Sequence, residues 1–491
     1  MSISSDLKAC RPTTPRSSSK PEVCAITSSN PPAFIAQKLQ PHTQDSWRQA
    51  AKMSLQAVGT KDGAASLEWL SHHSAQGHFA DADPMGEAEL NLWNMGLTRD
   101  DLRKLCAWLQ SRKFQAPIKL VLSANDFSNG CAEELAELLK DPSCVIALDL
   151  SRCELAKQDI ALLCTALREN TGLQKLLLSY NHFQGCGAAI GELLKANKTL
   201  QSLGLQGSQE GGLMQMECHC ICSIAKALEE NSSLQALDLG INVINFEGAV
   251  AIASMLKSNK TLIDLNLRFS TLDRGFRTLC KALKSNTTLE RLNLSGQALD
   301  DKRQAALASL LKANRSLRHL DVSNGIGAKD TTCSAPFYEA LSSNITLRSL
   351  KITIRSRQVV GALATLLRNP KSHLESIDLR GPRLDAEAVD ILTKAVQNNQ
   401  TLITFHAGHA KPEALSPIHV VTARNKELRE RLHDKAGDAL IDLLQEQCKA
   451  GTVPYLPRDL RHAFAKAFKD MDDMPTVLAL LEATAHPAMP G

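Results

Sequence analysis

The sequence predicts an α/β solenoid: about twelve short units, each one strand and one helix, stacked with parallel strands on a concave face and helices outside. Two observations carry this. First, a phrase recurs. Asn170 opens NTGLQKLLL, and the same frame returns at Asn197 (NKTLQSLGL), Asn231 (NSSLQALDL), Asn259 (NKTLIDLNL), Asn286 (NTTLERLNL), Asn314 (NRSLRHLDV) and Asn344 (NITLRSLKI). Second, the spacing is nearly constant. With the first leucine of each L-x-L pair as phase marker, the series is Leu90, Leu120, Leu148, Leu176, Leu203, Leu237, Leu265, Leu292, Leu320, Leu350, Ile377 and Phe405. Steps of 27 or 28 residues dominate, and one long step separates Leu203 from Leu237. A fixed period of this size means stacked units rather than a globule around one pocket.

Within a unit, the L-x-L alternation predicts a strand that buries one face. The second half carries apolar residues three and four apart, such as Ile190, Leu193 and Leu194, or Ile252, Met255 and Leu256. That spacing predicts an amphipathic helix of two to three turns. The helices stop at Lys195-Ala196-Asn197 or Lys257-Ser258-Asn259. Lysine suits the negative helix end, and asparagine is expected there in the left-handed stop conformation. No unit can bury its leucines alone, so neighbours must stack. Helices need roughly 10 Å between neighbours and strands about 4.8 Å, so the stack must bend into a horseshoe.

On these residues, the stretch from about Leu90 to His409 resembles the ribonuclease-inhibitor-like class of leucine-rich repeats. The resemblance implies a protein-binding solenoid and says little about which protein, because the fold hosts many partners. The same class includes Ran GTPase-activating proteins and the sensor arrays of NOD-like receptors.

The domain organisation reads as four parts: a tail over 1–44, a helical N-terminal cap over 45–86, the array over 87–410, and a helical C-terminal cap or small interaction module over 411–491. Residues 1–44 hold eight Ser, four Thr and six Pro, with acids only at Asp6 and Glu22. Such a segment is expected to be disordered, having too little apolar surface to offset its ordering entropy. Its composition resembles the export address of bacterial type III effectors, with a transit peptide or a plain tail as alternatives. Trp47, Ala51, Leu55, Leu67, Trp69 and Leu70 supply helical patterns for the first cap. At the other end, Val420, Leu428, Leu432, Ala436, Leu440 and Leu443 suggest a helix over 416–449. Further helices follow after Pro454 and Pro457.

Net charge is +4 over 491 residues with no cationic block, which argues against a nucleic-acid footprint. No run of about 18 apolar residues exists, so no membrane span is expected. Fourteen scattered cysteines, including Cys106, Cys164 and Cys280 within repeat helices, suggest buried free thiols and a reducing compartment.

Catalytic chemistry finds little support. Cys218-His219-Cys220-Ile221-Cys222 sits in the long step, but C-x-C-x-C lacks the two separated pairs that a closed zinc site wants. The loop from Gln206 to His219, with Gly207, Gly211, Gly212, Met214 and Met216, reads instead as an adaptable contact reaching off the rim. Neither His72, His73 and His78 nor His406 and His409 has metalloprotease spacing. No P-loop or nucleophile elbow is present. No cysteine has Asp two residues later, so the ubiquitin-ligase signature of some bacterial repeat effectors is missing. No cofactor or metal is expected.

The remaining site is the concave wall. Residues between the paired leucines point out of it: Asn91, Val121, Asp149, Leu177, Gly204, Asp238, Asn266, Asn293, Asp321, Lys351, Asp378 and His406. The row two residues later includes Ser123, Ser151, Ser179, Gln206, Gly240, Arg268, Ser295, Ser323, Thr353 and Arg380. Small side chains there leave a smooth trough, with aspartates in the middle and a basic drift (Arg268, Lys351, Arg355, Arg357, Arg380, Arg383) toward the end. The partner-binding set is Asp149, Ser151, Leu177, Tyr180, Asp238, Asn266, Arg268, Asn293, His319, Asp321, Lys351, Asp378 and Arg380. Leu177, Tyr180, Arg268 and His319 are its expected anchors. The expected function is a non-enzymatic, monomeric interaction scaffold for a protein, acting as an effector secreted into host cytoplasm or else as a cytoplasmic protein. A Ran-type GTPase activator and an adaptor for a host ubiquitin ligase are the alternatives.

Overall fold

The computed structural model describes residues 88–434, apart from 112–116, 129, 141–144, 209–213, 273, 324–334, 355–356, 382–383 and 409–411. The tail over 1–44, the first cap over 45–86 and the helices expected beyond residue 434 lie outside the described residues.

Strand and helix alternate throughout: β1 (Ala88–Asn91), α1 (Arg99–Ser111), β2 (Ile118–Val121), α2 (Cys131–Lys140), β3 (Val145–Asp149), α3 (Lys157–Leu167), β4 (Lys175–Leu177), α4 (Gly187–Ala196), β5 (Ser202–Gly204) and α5 (Cys218–Leu228). The series continues with β6 (Ala236–Asp238), α6 (Phe246–Ser258), β7 (Asp264–Asn266), α7 (Gly275–Leu283), β8 (Arg291–Asn293), α8 (Asp301–Ala313) and β9 (His319–Val322). It ends with α9 (Ala335–Ser342), β10 (Ser349–Thr353), α10 (Arg357–Arg368), β11 (Ser376–Arg380), α11 (Ala386–Val396), β12 (Thr404–Ala407) and α12 (Pro412–Asp434).

The twelve strands form one sheet in chain order, and every neighbouring pair is parallel. The phase markers stand opposite one another without exception, from Leu90↔Leu120 through Leu203↔Leu237 to Ile377↔Phe405. The long step therefore adds its residues outside the sheet and leaves the register intact. Each marker is buried, and so is the second leucine of most pairs. Burying each such side chain contributes about 1.5–3 kcal/mol. A slip of one residue would turn this row to solvent, which is why the register is fixed.

Two internal ladders of polar side chains accompany the leucines. In the first, the asparagine that opens each phrase is buried: Asn170, Asn197, Asn231, Asn259, Asn286, Asn314, Asn344 and Asn399. Asn259 is representative. Its Nδ2 donates to the Leu228 carbonyl of the preceding unit at 2.8 Å. Its Oδ1 accepts from the amides of Thr261 and Leu262 at 2.9 and 2.8 Å. These bonds correct the expectation of a left-handed helix stop. Asn197, Asn259 and Asn314 are extended, with φ between −71° and −65°. The side chain, not the backbone conformation, closes the helix end, because the chain must run straight into the next strand.

Left-handed backbone occurs instead four residues past the phase marker, at Asn94, Ala124, Arg152, Tyr180, Ile241 and Phe269, with glycine in the same place at Gly296. One residue further stands the second ladder, which the sequence reading missed. Asn181 Nδ2 donates to the carbonyls of Leu150 and Leu178, both at 2.8 Å. Asn125 and Asn242 do the same in their units. Cys153 and Ser270 take the same place with one bond each to the preceding unit, to Leu122 at 3.3 Å and Leu239 at 3.0 Å. The left-handed residues cost roughly 1–2 kcal/mol each, which these buried bonds offset.

At the C-terminal end, α12 packs on α11 and β12. Leu415 and Ile418 are buried and belong to the core. Val420, read from sequence as part of the apolar stripe, is 66% exposed. The buried stripe runs through Leu415, Ile418, Thr422 and Asn425 instead, because the helix begins at Pro412 and its phase follows from there. Asn425 Nδ2 donates to the carbonyls of Asn399 and Leu402 at 3.1 and 2.9 Å, so a helical residue supplies the next rung of the first ladder.

Candidate partner-binding surface

The strands expose the expected concave row. Among the partner-binding set, Lys351 and Arg380 are exposed, Asp378 is buried, and the rest are half-buried. Register brings them side by side: Asp149 faces Leu177, Asp238 faces Asn266, and Lys351 lies between Asp321 and Asp378.

The acidic and amide side chains of this row have local work. Asp149 Oδ1 accepts from the Ser151 amide at 2.9 Å, and Asp238 from Gly240 at 2.8 Å. Asn266 takes Arg268 at 3.0 Å, Asn293 takes Ser295 at 2.9 Å, and Asp321 takes Ser323 at 3.0 Å. Each closes a short turn at the end of its strand, as Asx side chains do. Burial raises the Asp238 carboxyl above its ordinary value of 3.8, with hydrogen bonds from Gly240 and Asn266 and the charge of Arg268 acting the other way.

A polar cluster crosses the trough between β3 and β7. The Arg152 guanidinium lies over the Tyr180 ring, 4.6 Å from its centroid. The Tyr180 hydroxyl accepts a short hydrogen bond from Gln206 Nε2. Gln206 Oε1 accepts from Arg268 Nε at 3.1 Å. Two glycines make room for this. A Cβ on Gly204 would stand 2.8 Å from Leu177 Cδ2, and one on Gly240 would stand 2.9 Å from Arg268 Cγ. Neither Arg152 nor Arg268 takes part in an ion pair among the described residues.

Two residues of the basic drift toward the C-terminal units are ion-paired. Arg380 pairs with Asp378 at 2.7 Å, and Arg357 pairs with Asp385 at 3.3 Å and Glu387 at 2.6 Å. Arg348 stands 3.7 Å from Glu375. Arg355 and Arg383 lie outside the described residues. His319 sits in register between Arg291 and Ser349, and its imidazole is pushed below 6.5, by burial first and by Arg291 second.

A model described as "Leucine Rich repeat" matches residues 230–253. Mouse ribonuclease inhibitor is 30% identical over 327 residues, covering 56% of this chain and 70% of that protein. The chain belongs to the ribonuclease-inhibitor-like leucine-rich-repeat family. The pig ribonuclease inhibitor is 30% identical over 296 residues, 50% of this chain and 63% of that protein. Mouse NACHT, LRR and PYD domains-containing protein 4B is 29% identical over 159 residues, 32% of this chain and 18% of that protein.

The family framework also places the cysteines. Cys106, Cys164 and Cys280 are buried and unbridged, and burial pushes the thiols of Cys164 and Cys280 up to about 12. Cys153, raised by burial to about 12, is the ladder rung described above. Such thiols are structural rather than nucleophilic. The cluster at Cys218 is helical rather than part of a loop, since α5 begins there. Cys220 turns inward against α4, where a Cβ on Gly187 would lie 2.2 Å from the Cys220 Cα. Met216, expected as an adaptable surface contact, is fully buried, and its amide donates to Asn242 Oδ1 at 2.8 Å. Met214 is half-buried. The long step is thus partly tied down by the second ladder, and Gly211 and Gly212 lie outside the described residues.

Glu217, His219 and Cys220 bring three ligand atoms within 4.8 Å of one another. The His219 ring divides them, with Nδ1 3.4 Å from Glu217 and Nε2 3.4 Å from Cys220. Three ligands on opposite sides of one ring fall short of a closed tetrahedral site. Among the described residues, no helix is long and apolar enough to cross a membrane.

Proposed function

We propose that the chain is a non-catalytic scaffold that holds a protein partner in the trough formed by its strands. The observation that carries this is the combination of the uninterrupted parallel sheet with the Arg152–Tyr180–Gln206–Arg268 cluster held across its strands. Repeat proteins bind through such extended concave surfaces. Aromatic and arginine side chains carry most interface energy when they are held in place. The mouse and pig relatives are by name inhibitors of an enzyme, which supports a binding role without naming this chain's partner.

Photoreactive residues at Lys175 and Lys351, both exposed on the strands, test the reading against Gln158 and Lys302 on the helices. Capture of one protein from the strand positions and not from the helix positions is the expected result. Equal capture from both faces would defeat it.

The composition of residues 1–44 supports a separate proposal, that the chain is exported into a host cell by an acid-poor, Ser-rich address. Deletion of residues 1–40 is expected to abolish export and leave the array folded. Normal export of the truncated chain would exclude it.

A further inference from the structure

Resting on the concave-face reading, we infer that β3 to β7 present a preorganised cationic cradle for an acidic peptide segment of the partner. The partner's carboxylates would be taken up by Arg152, Lys175 and Arg268. Three observations lead here.

The first is that the cations are in no ion pair among the described residues. Lys175 is exposed, in register with Ala147 and Ser202, and neither it nor the two arginines is ion-paired among the described residues. Two aspartates of the same row, Asp149 and Asp238, each accept a strand-end amide with one oxygen.

The second is that the arginines are held before anything binds. The Tyr180 ring supports one guanidinium on its face. Gln206 fixes the other through Nε, which leaves the terminal nitrogens of Arg268 for a ligand. Arginine's planar fork suits a carboxylate in two-point contact. Side chains already immobilised lose little rotamer freedom on binding, so more of the contact energy appears as affinity.

The third is the span. Arg152 follows β3 and Arg268 follows β7, four strand steps apart, or about 19 Å at about 4.8 Å per step. An extended peptide of about six residues covers that distance at roughly 3.3 Å per residue.

The test uses the full chain and a fluorescein-labelled hexaglutamate peptide, with hexaglutamine and hexalysine as controls, read by anisotropy in about 50 mM and about 300 mM salt. Hexaglutamate is expected to bind at least tenfold more tightly than hexaglutamine and to weaken as salt rises. The double substitution Arg152→Gln with Arg268→Gln is expected to remove that preference. Lys175→Glu, at an exposed position with no bond to lose, is expected to weaken binding several-fold with the circular dichroism melt unchanged. Lys302→Gln, on the helix face, is expected to bind like the native chain. Hexaglutamate no tighter than hexaglutamine, or full affinity in both the double variant and Lys175→Glu, overturns the inference. If the peptide fails while Lys175 still captures a protein by photocrosslinking, the acidic-segment inference falls alone. If capture fails as well, the concave-face reading falls with it.

Discussion

Strands β3 to β7 and strands β10 to β12 both set arginines beside the same trough, but among the described residues Arg348 and Arg380 are ion-paired while Arg152 and Arg268 are not. In the C-terminal stretch Arg348 and Arg380 face carboxylates across or along strands, and Lys351 lies between two aspartates in register. In the middle stretch Arg152 rests on an aromatic ring and Arg268 on a carboxamide. Counting charges along the chain gives the C-terminal units the more basic surface. The ion pairs of Arg348 and Arg380 change that picture, because an ion pair leaves little charge for a ligand to find.

Four tests break or sharpen this comparison. The largest effect is expected where the two stretches must behave alike, in the buried asparagine ladder beneath both. Asn231 bonds Leu194, Ser233 and Leu234, and Asn399 bonds Leu367, Thr401 and Leu402. Alanine at either site takes the partner from one carbonyl and two main-chain amides, a cost of about 2–4 kcal/mol. Urea midpoints of Asn231→Ala and Asn399→Ala should fall by similar amounts. A drop at only one would mean that the ladder is not uniform.

Next in size is partner affinity, where the stretches should differ. Arg268→Gln is expected to cost about 1.5 kcal/mol, roughly tenfold in Kd, while Arg380→Gln stays within about twofold. Titration of the captured partner decides it, and equal losses would erase the distinction.

Smaller is the effect of Asp238→Asn. The folded carboxyl is raised above 3.8, so the stability linked to it is present below that pH and lost as pH rises through the folded value. At neutral pH its charge is therefore a cost. Asparagine keeps the acceptor for Gly240, as Asn266 does for Arg268 one strand away. The substitution should raise the neutral-pH unfolding free energy by less than about 1 kcal/mol and flatten the slope of stability above pH 3.8. A fall in stability at pH 7 would show that the charge itself is needed beside Arg268.

The smallest effect belongs to His319, at the junction of the two stretches. Its folded value lies below 6.5, so the folded state binds fewer protons, and stability should fall as pH drops from 6.5 toward that lowered value. His319→Gln should remove this slope from melts taken between about pH 5 and 7. An unchanged slope would place the titrating group elsewhere.

Much of the architecture was legible in the chain. The twelve phase markers read from L-x-L spacing are the residues that stand opposite one another in the sheet, because only one register buries every leucine. The concave row was legible for the same reason, since alternate strand residues must face away from the core. The second ladder was not. Its rungs are Asn125, Cys153, Asn181, Asn242 and Ser270, whose chemical variety hides a common position five residues past the marker. The fixed offset was the signal that would have found it. The roles of Met214 and Met216 were likewise hidden, because half-burial of the first and full burial of the second depend on a loop folding back on Asn242.

The sequence by itself determined the repeat, its period, the order and direction of the strands, and which side chains point outward. All of these follow from local periodicity and from the need of each unit to bury leucines against its neighbours. Only the tertiary structure decided which outward charges are spent on one another. Arg152, Tyr180, Gln206 and Arg268 come from four different units, and their contacts depend on lateral stacking and on the room left by Gly204 and Gly240. Pairing across units is a matter of a few ångströms between side chains far apart in the chain, and no one-dimensional pattern encodes it.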